Sequence, residues 1–214
     1  MIKKDGVAEK IMRVKNALRT SEEMARLSKE HNINEGAVII LEDKINFERK
    51  MLANYRISMV VPNTLEEMDQ ASAEIKYQDS RPEYIYISEN ALIHISFSVE
   101  KLDDKEFDTT KIKDELIDEM KEEVPESPII ANGVLTASLD NEQGQAGDIN
   151  VPYFSFDRKA VDGTAHNIIF LLPVDNRLVI GAITFNSDNM DEIEPIAMQM
   201  LESIQIMPKN KRGR

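Results

Sequence analysis

The 214-residue sequence contains no cysteine and no tryptophan, only three histidines, and no more than eight glycines and eight prolines. Without cysteine there can be no disulfide, no thiolate metal site and no cysteine nucleophile. Its usage also points to the cytoplasm. With so few histidines, a zinc or iron site would need closely spaced carboxylates to complete it. No apolar run approaches the ~20 residues of a membrane span. The opening MIKKDGVAEKIMRVKNALRT lacks both a continuous apolar segment and a small-residue cleavage site, so it does not read as a secretory leader. Phosphate-binding glycine patterns and the nucleophile elbow are missing as well.

The sequence does hold acid. Its net charge is −13, unevenly spread: residues 1–50 are nearly balanced, residues 51–208 carry the excess, and the tail KNKRGR is basic. An acidic body repels phosphate backbones and anionic lipid, so nucleic acid is excluded as a partner.

The most informative stretch is Val151–Met207. Phe154 and Phe156, then Asn167–Leu172, then Leu178–Ile183 are rich in β-branched and aromatic residues, the composition of strands. Asp162-Gly163 suits a two-residue hairpin turn, and Pro173-Val174-Asp175-Asn176 suits the next turn. A helix follows. Asp191 with Glu194 has capping-box spacing, which places Pro195 in the first turn. Ile193, Ala197, Met200, Leu201 and Ile204 form one apolar stripe.

Upstream, residues 1–34 read as a helical arm, with Val7, Ile11, Val14 and Leu18 on one seam. Packing of this arm on its own domain is the expectation; a monomer or a weak homodimer would result. Ala37–Leu41 reads as a buried strand, with a turn at Asp43-Lys44. Tyr55, Ile57, Met59 and Val61 alternate as in a half-buried strand. Thr64 is expected to cap a helix from Leu65 to about Lys76, with Leu65, Met68 and Ile75 inward. Tyr84–Ser88 and Leu92–Val99 form a hairpin around Glu89-Asn90. From Thr109 a charged surface helix carries Ile112, Leu116, Met120 and Val124 every four residues, and Pro125 and Pro128 end it. Ile129–Leu139 is a strand, and Asp140–Asn150 a polar loop. The domain therefore runs over residues 35–208, with 209–214 a basic tail. Short turns between consecutive strands imply a largely antiparallel sheet with packed helices, an α+β fold.

From about Tyr55 to Ile206 this order resembles the fold of PsbP, the extrinsic subunit of photosystem II, and of the yeast Ran-binding protein Mog. Small bacterial proteins of the DcrB type are similar. The carrying features are YRISMVVP before a helix, the pair YIYIS and LIHISFSV before a charged helix, and LVIGAITFNS, an acidic loop, a helix and ESIQI. The resemblance implies an α/β/α sandwich around a central antiparallel sheet and action by binding another protein. DcrB-type relatives look exported or lipid-anchored, whereas this sequence offers neither leader nor cysteine. No functional residue of these families maps onto it.

No catalytic constellation emerges. His31, His94 and His166 have no ligand spacing and read as structural or surface residues. The pairs Glu66-Glu67, Asp103-Asp104, Asp114-Glu115, Asp118-Glu119 and Glu122-Glu123 read as solvated faces rather than as a cleft with separated pKa values. Asp140, Glu142 and Asp148 around Gly144 and Gly147 depart from calcium-loop spacing. Met51, Met59, Met68, Met120, Met198 and Met200 read as core filler; Tyr84, Tyr86 and Tyr153 could line a groove. The expectation is a non-enzymatic protein-binding or adaptor domain with no cofactor and no metal. The alternative is a small-molecule or hydrolase-type site at the 140–150 loop.

Overall fold

The computed structural model describes residues 32–54, 56–77, 81–101, 107–140, 146–160, 163–174 and 176–207. The helical arm and the basic tail therefore lie outside the described residues, apart from a short 3-10 turn at Ile33–Glu35. Ile33 is buried there, and its N–H donates to Gln199 Oε1 at 3.1 Å.

Among the described residues eleven strands form one curled sheet in the order β1-β2-β3-β11-β7-β8-β9-β10-β6-β5-β4. They are β1 (Ala37–Ile40), β2 (Asp43–Leu52), β3 (Ile57–Pro62), β4 (Glu66–Glu67), β5 (Tyr84–Ile87), β6 (His94–Glu100), β7 (Ile129–Asp140), β8 (Ala146–Ala160), β9 (Gly163–Val174), β10 (Arg177–Asn186) and β11 (Gln205–Ile206). Every pairing is antiparallel except that of β11 with β7, so the sheet is mixed. Among the described residues three helices accompany it, α1 (Gln70–Lys76), α2 (Thr109–Glu123) and α3 (Met190–Glu202). The class is α+β.

The register corrects several local expectations. Ile40 pairs with Asp43, so the first turn is Leu41-Glu42, both at positive φ (50° and 71°), and Asp43-Lys44 begin β2. β3 is buried on both faces rather than on alternate residues. Ala160 pairs with Gly163, which puts the two-residue link at positions 161–162; Gly163 opens β9 at φ 138°, a conformation that favours glycine. At Gly181 a Cβ would run into the ring of Phe170, which packs edge-on to Phe97 with centroids 6.0 Å apart. Gly181 thus makes room for the ring of its cross-strand partner Phe170.

The helices differ from their sequence reading in instructive ways. α1 starts after Asp69, whose side chain accepts from Ser72 N at 3.0 Å, and not at Thr64. The reason is competition from the sheet: Glu66 and Glu67 pair with Ile87 and Tyr86. Leu65 is buried as expected, but Ile75 is 76% exposed, because this seven-residue helix buries only Ala73. α2 is capped by Asp108, which accepts from Thr110 N at 2.9 Å. Its buried line is Thr109, Lys113 and Ile117, with Ile112, Leu116 and Met120 half-buried alongside. α3 begins directly after a 3-10 turn at Ser187–Asn189, and its N-cap Asn189 makes no side-chain cap bond. The Asp191 cap is therefore not formed, and Pro195 falls in the second turn. The apolar stripe holds throughout: Ile193, Ala197, Met200, Leu201 and Ile204 are all buried, joined by Ile196. They meet Ile57, Ile95, Phe97, Ile168, Phe170, Leu172, Ile183 and Ile206 in the main core.

Candidate functional site

β1 is the terminal strand of the sheet and pairs with β2 alone among the described residues. The sequence reading made it a buried strand; Val38 and Ile40 are buried, but Ile39 is 61% exposed. Phe47 N–H donates to Gly36 O at 2.9 Å. Alternation in an antiparallel ladder then turns Gly36, Val38 and Ile40 toward β2, and turns the N–H and C=O of Ala37 and Ile39 outward. The strand ends where Leu41 N–H donates to Glu192 Oε2 at 2.7 Å. Edge strands ordinarily carry charge, proline or a bulge against unwanted pairing. Ala-Val-Ile-Ile carries none of these. Its neighbours Glu35, Glu42 and Asp43 are exposed acids, with Lys44 the adjacent base.

The histidines separate into two environments, and His31 lies outside the described residues. His94 lies on β6, half-buried, with Lys76 Nζ 2.9 Å from its Nδ1. It borders an open cleft of about 230 Å³ lined by Lys76, Ala91, Gly163, Ala165, Thr184 and Asn186 among others. His166, on β9, is fully buried. Its Nδ1 stands 2.7 Å from Asp157 Oδ1, and its ring packs on Phe185 at 5.0 Å. Ser187 Oγ donates to Asp157 Oδ2 at 2.8 Å, so the serine proton goes to the carboxylate and not to the imidazole. This is a structural clasp rather than a nucleophile–base relay. Among the described residues Nε2 has no hydrogen-bond partner, and it lies 3.9 Å from Glu194 Oε1.

The carboxylate pairs are not brought into a cleft. Glu66 and Glu67 are exposed on β4, and Asp114, Glu115, Asp118, Glu119, Glu122 and Glu123 are exposed on α2; Asp103-Asp104 lie outside the described residues. Of the loop candidates, Asp148 is exposed on β8, while positions 142 and 144 lie outside the description. Tyr86 is buried, accepts from Ala53 N at 3.0 Å, and has its hydroxyl pKa pushed up by burial. Tyr84 shares β5 with it, but three strands separate β5 from Tyr153 on β8, so the tyrosines line no common groove. Met59 and Met200 are core residues; Met51 is instead exposed. Sequence reading missed the cleft, since Lys76, Gly163 and Asn186 are far apart in the chain and carry no shared spacing.

No family model matches the sequence, and no curated protein matches it. Solved structures do. The solution structure of cyanobacterial PsbP from Synechocystis aligns with a TM-score of 0.51 at 10% identity, covering 75% of this chain and 92% of that one. The likeness is to the PsbP fold. A Mog1 variant aligns at 0.46 with 11% identity, over 77% of this chain and 98% of that one. LpqN of Mycobacterium tuberculosis, described as involved in cell envelope biogenesis, aligns at 0.40 with 13% identity, over 79% and 95%. At such identities the PsbP likeness shows the fold alone. It agrees with the fold-level resemblance read from Tyr55 to Ile206.

Proposed function

We propose that the chain is a non-enzymatic protein-binding domain that accepts an extended segment of a partner protein along β1. The observation that carries this is the uncharged edge itself: outward N–H and C=O groups at Ala37 and Ile39, with Ile39 mostly exposed. Strand addition uses such main-chain groups for affinity and alternate side chains for specificity. The acids at Glu35, Glu42 and Asp43, on a chain of net charge −13, suit a segment with an apolar residue over Ile39 and basic flanks. The proposal takes the protein as cytoplasmic, supported by the cysteine-free sequence. It also takes the helices as outer layers of an α/β/α sandwich. Support for that is the alternation along β9, where Ile168, Phe170 and Leu172 join the core under α3 while Leu171 is buried outside that cluster.

The test combines capture with amide exchange. A partner captured by the full chain should protect the Ala37 and Ile39 amides from hydrogen exchange. Binding should be lost in Ile39→Lys and in Ile39→Pro, which removes an outward donor without touching the β2 ladder, and kept in Val134→Lys on β7. A partner whose binding ignores position 39 would overturn the reading.

A further inference from the structure

We infer that His166 is a proton-operated clasp: when its ring takes up a proton, Nε2–H hydrogen-bonds to Glu194 and draws the N-terminal half of α3 onto the β8–β9 hairpin. The ring is fully buried, and Asp157 Oδ1 stands 2.7 Å from its Nδ1. Asp157 also accepts from the Ser187 hydroxyl on Oδ2 at 2.8 Å. An ionised carboxylate only accepts, so Nδ1 carries the proton of the neutral ring and Nε2 is left as a bare acceptor. The group across from it is an acceptor too. Glu194 Oε1 lies 3.9 Å away, and Nε2 has no hydrogen-bond partner among the described residues.

Two facing acceptors cannot bond, so the neutral ring leaves a gap beneath α3. A proton on Nε2 makes the pair donor and acceptor, and a charge-assisted bond of this kind closes to about 2.7–2.9 Å. The helix or the Glu194 side chain must then approach by roughly 1 Å. A buried cation is costly unless it is paired. Here each ring nitrogen meets a carboxylate, and Asp157 and Glu194 keep 30% and 29% of their side chains exposed, so water still solvates both. Phe185, packed on the ring, brings no charge. The other charged groups on the surrounding elements stand clear of it. Arg158 leaves β8 on the opposite face, and Lys159 of β8, Asp188 of the 3-10 turn, and Asp191 and Glu192 of α3 are exposed. β9 has no charged residue, and Arg177 lies at the far end of β10, opposite Val174. Glu192 accepts from Leu41 N–H at 2.7 Å, so movement of this part of α3 registers at the end of β1.

The test is NMR of the full isotope-labelled chain, following imidazole nitrogens and backbone amides from mildly alkaline to mildly acidic pH. His31→Gln and His94→Gln identify the His166 signals by elimination. At alkaline pH the His166 ring should be the Nδ1–H tautomer, with Nε2 at the shift of an unprotonated ring nitrogen. On acidification Nε2 should gain its proton in the folded chain, and the Ile193, Glu194 and Leu41 amides should move with the same midpoint. In Glu194→Gln the side-chain amide can donate to the bare Nε2 of the neutral ring. The clasp is then closed without a proton, and those three amides should no longer follow the pH. A ring in the Nε2–H tautomer at alkaline pH would overturn the proposal. So would a ring that stays neutral until the chain unfolds, a ring that charges while the α3 amides stay still, or amides that still follow the pH in Glu194→Gln.

Discussion

Lys113 shows how a single residue can defeat a pattern. It sits mid-helix on the buried line of α2 at 5% exposure, one residue round from the line of Ile112, Leu116 and Met120 to which the four-residue spacing points. Its ammonium is satisfied by Asn132 Oδ1 on β7 and by Asp114 Oδ1 at 3.0 Å. A buried charge is costly mainly when a partner is removed, while replacing it by an apolar side chain is often neutral. Asn132→Leu should therefore destabilise the protein by about 1–3 kcal/mol, and Lys113→Met by clearly less. Adding Lys113→Met to Asn132→Leu should recover part of the loss. Urea unfolding midpoints of the three variants check this; a Lys113→Met as damaging as Asn132→Leu would mean that the ion pair itself holds α2 in place. Neither Lys113 nor Asn132 was recognisable from the chain, since a lysine among acids reads as solvated until the sheet that covers it is known.

At the level of elements, α3 is the most legible and α1 the least. The thirteen residues of α3 carry six buried side chains counting Ile204 just beyond its end, all but Ile196 anticipated from spacing. A stripe that long admits one orientation on the sheet. Leu201→Ala should cost about 2–5 kcal/mol, as a buried leucine does when its cavity cannot collapse, and a loss under about 0.5 kcal/mol would place it on the surface. α1 has two turns and one buried residue, so spacing could not orient it, and Ile75→Ala should be close to neutral; urea unfolding midpoints check both substitutions. Its cap titrates in a predictable direction. Asp69 accepts from Ser72 Oγ at 2.6 Å and from Ser72 N, which hold its carboxyl below the ordinary carboxylate value. The capping contribution is thus complete above the unfolded carboxylate's pKa and is lost as pH falls through the lowered one.

Across the whole molecule, two residues join the halves of the sheet. β11 lies between β3 and β7, with Gln205 and Ile206 opposite Ser58 and Ile57 on one side and Ser138 and Leu139 on the other. The join is reinforced by Ser203 Oγ, which accepts from Val60 N at 2.8 Å, and by Arg49, which donates to Ser203 O at 2.9 Å. Ile206→Pro should uncouple β1–β3: their amides should lose hydrogen-exchange protection while β8–β10 keep theirs. Equal loss in both halves would show a single cooperative unit that needs no such bridge. From the sequence alone came the α+β class, the β8–β10 meander, the amphipathic C-terminal helix and the acidic, cysteine-free character, because each follows from local period, turn chemistry or composition. Tertiary structure decided the rest. It placed the apolar strand Ala37–Ile40 at an edge, captured Glu66-Glu67 in the sheet, buried Lys113 and His166, and gathered Lys76, His94, Gly163 and Asn186 round one cleft. Those outcomes depend on which strands become neighbours, and pairing between residues a hundred positions apart leaves no periodic trace in the chain.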